Sequence, residues 1–135
     1  MAEELDDPVL LSRSMGALAS VLDGRSLLRQ HLQIAMKRLE IGQDPSFADP
    51  REKIDSLRGA GLALMYVGEY RPAQPYLEEA EEHARRIRAT DQIANTLGIQ
   101  AQVMFRADRW DEVLAIEEKW RDLELRHTRE RVGET

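Results

Sequence analysis

The stretch Leu57-Arg58-Gly59-Ala60-Gly61-Leu62-Ala63-Leu64-Met65-Tyr66-Val67-Gly68-Glu69-Tyr70-Arg71-Pro72-Ala73-Gln74-Pro75-Tyr76-Leu77-Glu78-Glu79-Ala80 decides the fold. Leu57, Gly61 and Leu64, and Ala60, Leu64 and Val67, recur at the three- and four-residue spacing of one helix face. Gly68 interrupts the pattern with a residue that enters the left-handed region at little cost and so ends a helix. Tyr70, Ala73, Leu77 and Ala80 then resume it. The reading is a helix, a tight turn and a second helix, spanning 50–67 and 71–88. Gly61 and Ala80 are small residues on otherwise bulky faces, as close helix packing requires.

Working outward, helix starts recur. Asp7-Pro8 and Asp49-Pro50 each set a capping carboxylate before a proline at the first helical position. Glu52 stands where it could complete a capping box with Asp49. Asp91 supplies a third start without proline, and Asp7, Asp49 and Asp91 lie 42 residues apart in turn. So even a spacing implies an internal repeat. Breaks at Asp23-Gly24 and Ala107-Asp108 divide the outer units as Gly68-Glu69 divides the middle one. The full expectation is six helices, at 8–22, 25–41, 50–67, 71–88, 91–107 and 110–130, with one loop from Gly42 to Ala48 around Pro45. They form three repeats, 8–41, 50–88 and 91–130, in a single domain over residues 1–135.

Composition fits this reading. The chain of 135 residues is 42% hydrophobic and 33% charged but only 5% aromatic, which suits amphipathic helices better than a β-sandwich or barrel. Its net charge of −6 disfavours nucleic acid and anionic membrane surfaces as partners. The absence of cysteine excludes disulfides, a thiol nucleophile and Cys-ligated metal. The start Met1-Ala2-Glu3-Glu4-Leu5-Asp6-Asp7 is acidic and lacks the features of a secretory signal. The longest apolar patch, Leu62 to Val67, is far too short to cross a bilayer. A soluble, cytoplasmic protein is expected.

The middle unit resembles the tetratricopeptide repeat. Leu57, Gly61, Leu64, Gly68, Tyr70, Ala73, Leu77 and Ala80 match that family's order of apolar, small, bulky, glycine, aromatic, small, bulky and small residues. The run from Gly68 to Ala80 is similar to the longer members of roughly 42 residues, such as the repeats of kinesin light chain and of many bacterial regulators. The first unit follows with Gly16, Ala19, Asp23, Leu28, Leu32 and Ala35, and the third with Leu97, Ala101, Met104, Asp108, Trp110 and Val113. Trp120 occupies a position where the family has a small residue, and the late proline of the family is absent from all three units. The resemblance covers about residues 8–125. It implies an all-α, right-handed superhelical solenoid of three antiparallel helix pairs.

Few residues suggest chemistry. Glu79 and His83 share a helix face at i, i+4, yet no third ligand follows at metal-binding spacing, and neighbouring glutamates mark that face as solvated. His31 is expected to pack among Leu27, Leu28 and Leu32. No serine stands in a nucleophile elbow, and Gly59-Ala60-Gly61 lies within a helix, not in a phosphate loop. No enzyme, metal or cofactor is expected.

The resemblance places a partner on the concave face lined by the first helix of each pair. The positions it implies include Arg13 and Ala17 in the first unit, Arg58, Leu62, Met65 and Tyr66 in the second, and Asn95, Gln102, Phe105 and Arg106 in the third. Three arginines among apolar residues would suit a peptide with acidic and apolar side chains. The leading expectation is therefore a non-enzymatic module that binds a protein or peptide segment, either as a stand-alone adaptor or as part of a bacterial regulatory protein. The alternative is a self-associating scaffold, a homodimer through a C-terminal edge formed by Trp120 and Leu123. Circular dichroism should show well over half helix; a content well under half would contradict the repeat.

Overall fold

In the computed structural model, which describes residues 7–24, 27–44, 47 and 49–133, six helices follow one another: α1 (Pro8–Gly24), α2 (Leu28–Ile41), α3 (Pro50–Tyr66), α4 (Tyr70–Arg86), α5 (Thr90–Arg106) and α6 (Trp110–Arg131). The expected helix start at residue 25, the acidic start before Asp7, and Ser26, Pro45, Ser46 and Ala48 lie outside the described residues. Asp7 and Asp49 cap α1 and α3 as expected. The Asp7 carboxylate accepts from the backbone of Val9 and Leu10, and the Asp49 carboxylate from Arg51 and Glu52, all at 3.1 Å. Two details differ. Asp91 is not a cap: α5 begins at Thr90, and Asp91 lies in its first turn. Glu52 does not close a capping box either, because its carboxylate is taken by Arg38.

The ends of α3, α4 and α5 share one device. In each, two backbone N–H groups fold back on the last turn: Gly68 to Met65 and Glu69 to Leu64, Arg88 to Arg85 and Ala89 to Ala84, Asp108 to Phe105 and Arg109 to Met104. This closure needs one left-handed residue. Gly68 provides it at φ 84°, but Arg88 and Asp108 adopt φ 55° and 62° without glycine. The third turn therefore forms despite lacking the residue that marks it in sequence.

Each helix packs on the next, and in addition the backbone of α1 comes close to that of α3 and α3 to α5, whereas among the described residues the backbones of α2 and α4, and of α4 and α6, stay farther apart and meet only through side chains. The first helices of the pairs thus lie closer together than the second helices, and the stack curves with α1, α3 and α5 on its inner side. The core runs in two patches along the stack. Ile54, Leu57, Ala80, Ala84, Ile93, Leu97, Met104 and Ile116 form one, and Leu64, Met65, Ala73, Leu77 and Val103 the other.

Gly61 performs the role read from the sequence. A Cβ there would stand 2.5 Å from the Leu77 side chain, so α3 and α4 approach only because it is absent. Gly59 and Gly16 do not serve close helix packing. A Cβ at Gly59 would meet only the Arg38 guanidinium, at 3.6 Å, and the space beside Gly16 is also filled by that guanidinium. Gly98, inside α5, has nothing within 4 Å of its missing Cβ. Gly98→Ala should therefore stabilise the protein by about 0.5–1 kcal/mol through helix propensity. Gly61→Ala should destabilise it by about 1–3 kcal/mol through overpacking, and urea denaturation of the two variants checks both signs.

Candidate functional site

The inner face is organised around Arg38. His31, Ala35 and Arg38 form the buried stripe of α2, at i, i+4 and i+7, and so the last of them brings a guanidinium into the gap between α1 and α3. Its Nε donates to Ser12 Oγ at 3.0 Å, and its Nη2 donates to both Glu52 Oε1 and Asp55 Oδ2 at 2.6 Å. A Cβ at Gly16 would lie 2.9 Å from this guanidinium, so the glycine makes room for a charge. From Asp55 the chain of contacts continues: Arg58 donates to Asp55 Oδ1 and to Gln92 Oε1 on α5. One polar network therefore ties α1, α2, α3 and α5 together beneath the groove.

Electrostatics follow from this arrangement. Burial pushes the Asp55 carboxyl up, but the hydrogen bond and charge of Arg38, joined by Arg58, outweigh it and hold the group below the ordinary carboxylate range. Burial likewise lowers Arg38, and its two carboxylates more than reverse that, so it stays firmly charged. A second network holds the other end of the array. Glu81, buried on α4, accepts from Arg85 at 2.8 Å, from Gln100 of α5 at 3.1 Å and from Lys119 of α6 at 3.3 Å. Burial raises its carboxyl, and these donors bring it below the usual range.

Above Arg38 opens a recess of about 420 Å³, lined by Arg13, Ala17, Leu62 and Arg58 among others, with Ile99 of α5 at its far side. Four of the expected groove residues thus converge on one concavity. Asn95 and Gln102 are exposed on α5, and Arg106 lies over the Tyr66 ring at 5.8 Å. Tyr66 is half-buried, with its ring 6.2 Å from that of His31.

Two expectations are corrected. Met65 does not line the groove; it is fully buried, because α5 packs over the side of α3 that carries it, bringing Val103 into the same core patch. Phe105 holds the same register on α5, where no further first helix follows, and is 58% exposed, with its ring edge-on to Trp110 at 5.0 Å. The arginines are not a free basic surface. Arg13 pairs with Asp49 at 2.9 Å and lies 3.7 Å from Glu52, Arg58 pairs with Asp55, and Arg106 stacks on Tyr66. Arg13, Arg38 and Arg58 face Asp49, Glu52 and Asp55, which leaves this end of the groove balanced in charge.

The C-terminal edge also differs from expectation. Leu123 is half-buried against the core, which leaves Trp120, more than a third exposed, without it. Glu79 and His83 lie 3.5 Å apart as an exposed-face pair, and among the described residues no three His, Asp or Glu side chains converge to hold a metal. Among the same residues no helix is long and apolar enough to cross a membrane.

Sequence reasoning missed Arg38, Gln92 and Ile99. The signal for Arg38 was present, since a charged residue on the buried stripe of a helix demands partners.

An all-helical stack of three antiparallel pairs with its first helices on the concave side is the fold of a tetratricopeptide-repeat array. The crystal structure of the TPR domain of Arabidopsis FLU is similar, with a TM-score of 0.74 and 18% identity over 84% of this chain and 94% of that one. No known family description matches the sequence, and neither does any curated protein.

Two expectations follow from the networks. A carboxylate with a lower pKa in the folded than in the unfolded chain contributes stability above its unfolded value, and that contribution is lost as pH falls through the folded value. Stability should therefore decline below about pH 4, the unfolded carboxylate range, and decline less in Asp55→Asn than in wild type, as denaturation at a series of pH values will show. Gly16→Ala should cost about 1–3 kcal/mol despite the better helix propensity of alanine, because it displaces a pinned guanidinium; a stabilised variant would contradict the role given to Gly16.

Proposed function

We propose that this protein is a non-enzymatic interaction module that takes a peptide or protein segment into its concave face. The observation that carries the reading is the contrast along that face. At one end the charged groups satisfy each other, while towards the other Leu62, Tyr66 and Ile99 remain only half-buried, beside the exposed Ala17, Gln102 and Arg106. Apolar and aromatic side chains in a concave, preformed site are the surface that anchors a partner, with polar neighbours fixing its orientation. The TPR-like fold supports the same reading, since such arrays commonly mediate contacts between proteins.

The structure changes the chemistry expected of the partner. Arg13 and Arg58 are engaged internally, which removes the case for an acidic segment. A segment with apolar anchors and few charges suits the face better.

Selection from a random peptide library against the immobilised protein tests this. Enriched peptides should carry apolar or aromatic residues. Their affinity should fall by about tenfold or more, equivalent to about 1.4 kcal/mol, in Ala17→Glu/Gln102→Glu/Arg106→Glu, whose sites are all exposed. Peptides that bind wild type and triple variant equally would place the binding surface elsewhere.

A further inference from the structure

The helix-ending turns after α3, α4 and α5 each need a left-handed residue, and two of the three occupants explain themselves. Gly68 has no side chain to strain, and Asp108 accepts a hydrogen bond from Trp110 Nε1 at 2.6 Å. Arg88 adopts φ 55° with a long side chain, and among the described residues that side chain has no hydrogen-bond or ion-pair partner. Its backbone is held in place, because Arg88 N–H donates to the Arg85 carbonyl at 3.1 Å and Ala89 N–H to that of Ala84 at 3.0 Å. An arginine fixed where glycine would fit better, with an unengaged guanidinium, points to a use for that guanidinium.

The guanidinium borders a cleft of about 500 Å³ between the α4–α5 turn and the C-terminal half of α6. Arg85 and Arg126 line the same cleft, with buried Ile93 and half-buried Leu123 as its apolar part. Arg85 is oriented by its Nε, which donates to Glu81 at 2.8 Å, and among the described residues its two terminal amino groups have no acceptor. Arg126 forms no ion pair among them either, although Glu130 stands one turn further along α6. Thr90 adds a hydroxyl at the N-terminus of α5, which has no side-chain cap, and Asp91 of that first turn pairs with Arg51 at 3.3 Å. Acidic residues outnumber basic ones 25 to 19 in this chain, yet of the described residues lining the cleft three are arginines and one, Glu130, is acidic.

We propose that this cleft binds a phosphate monoester, its phosphate held by Arg85, Arg88 and Arg126 and its organic part lying over Ile93 and Leu123. A phosphate monoester carries close to two negative charges and three acceptor oxygens, enough to engage several guanidinium forks at once. A carboxylate brings one charge and two oxygens, and would leave donors of the three arginines unmet. The cleft is within the size range of small-molecule sites, roughly 300–1,000 Å³. On a chain of net charge −6, a locally positive concavity also concentrates an anion where the surrounding surface repels it. This chemistry is shared by free phosphate esters and phosphorylated side chains.

Calorimetric titration of the whole chain at low salt tests the assignment, with phenyl phosphate, benzoate and a phosphotyrosine pentapeptide as probes. Phenyl phosphate should bind with a Kd below about 1 mM, and about tenfold or more tighter than benzoate. Arg88→Gly should weaken it by about tenfold or more while the helix spectrum is kept and the melting temperature holds or rises, because glycine suits φ 55°. Arg126→Gln should weaken it similarly, and Arg121→Gln, which removes an α6 arginine paired with Glu117, should not. A pentapeptide that binds about tenfold tighter than phenyl phosphate would name a phosphorylated side chain as the source, and one that binds equally or less tightly would name a free ester. Absence of binding by both phosphates would overturn the proposal. So would binding that Arg88→Gly leaves unchanged, or benzoate binding as tight as that of phenyl phosphate.

Discussion

One buried guanidinium sets the geometry of this molecule. Arg38 is removed from water on the inner side of α2, and a charge in that position is tolerated only when it is hydrogen-bonded and neutralised. Ser12, Glu52 and Asp55 meet that demand from α1 and α3. The relative placement of three helices is thereby tied to a planar group with fixed donor directions. Gly16 is part of the same constraint, since any side chain there would occupy the guanidinium's space. The groove lies directly above and inherits its shape.

The network also governs what the groove offers. Asp55, recruited to satisfy Arg38, satisfies Arg58 as well, and Asp49, the cap of α3, satisfies Arg13. The end of the groove nearest the helix starts is consequently polar, paired and close to neutral. Beyond Leu62 no such pairing occurs among the described residues, and apolar and aromatic surface emerges there. Under the proposed function, stability and recognition are divided along one face: the ion-paired end fixes the helices, and the apolar end takes the partner. The Glu81 network repeats the device between α4, α5 and α6, on the convex side.

Much of this was legible in the sequence, and the reasons are local. Helix starts were read correctly at Asp7 and Asp49 because Asp-Pro carries both the cap and the first helical φ. The Gly61 approach was read because a glycine set into a bulky helix face marks the place where a neighbouring helix comes close. The turn at Ala107-Asp108 and the start at Thr90 were less legible, because Arg88 and Asp108 enter the left-handed region under tertiary constraint without glycine to announce it. Groove membership was legible for Arg13, Ala17, Arg58 and Leu62, which depend on register alone. It failed for Met65, whose exposure depends on what the next helix covers, and for the arginines' availability, which depends on carboxylates 3 to 39 positions away on other turns and helices. Register can be counted along a chain; pairing partners on a neighbouring helix cannot.

The coupling between Arg38 and Glu52 tests the central role of the buried network most directly. A double-mutant cycle of Arg38→Met, Glu52→Gln and the double variant, measured by urea denaturation, isolates their interaction from each side chain's other contacts. With both side chains under a tenth exposed, the coupling should reach about 2 kcal/mol or more. A coupling of about 0–1 kcal/mol, the range of exposed surface pairs, would contradict a groove held in shape by Arg38.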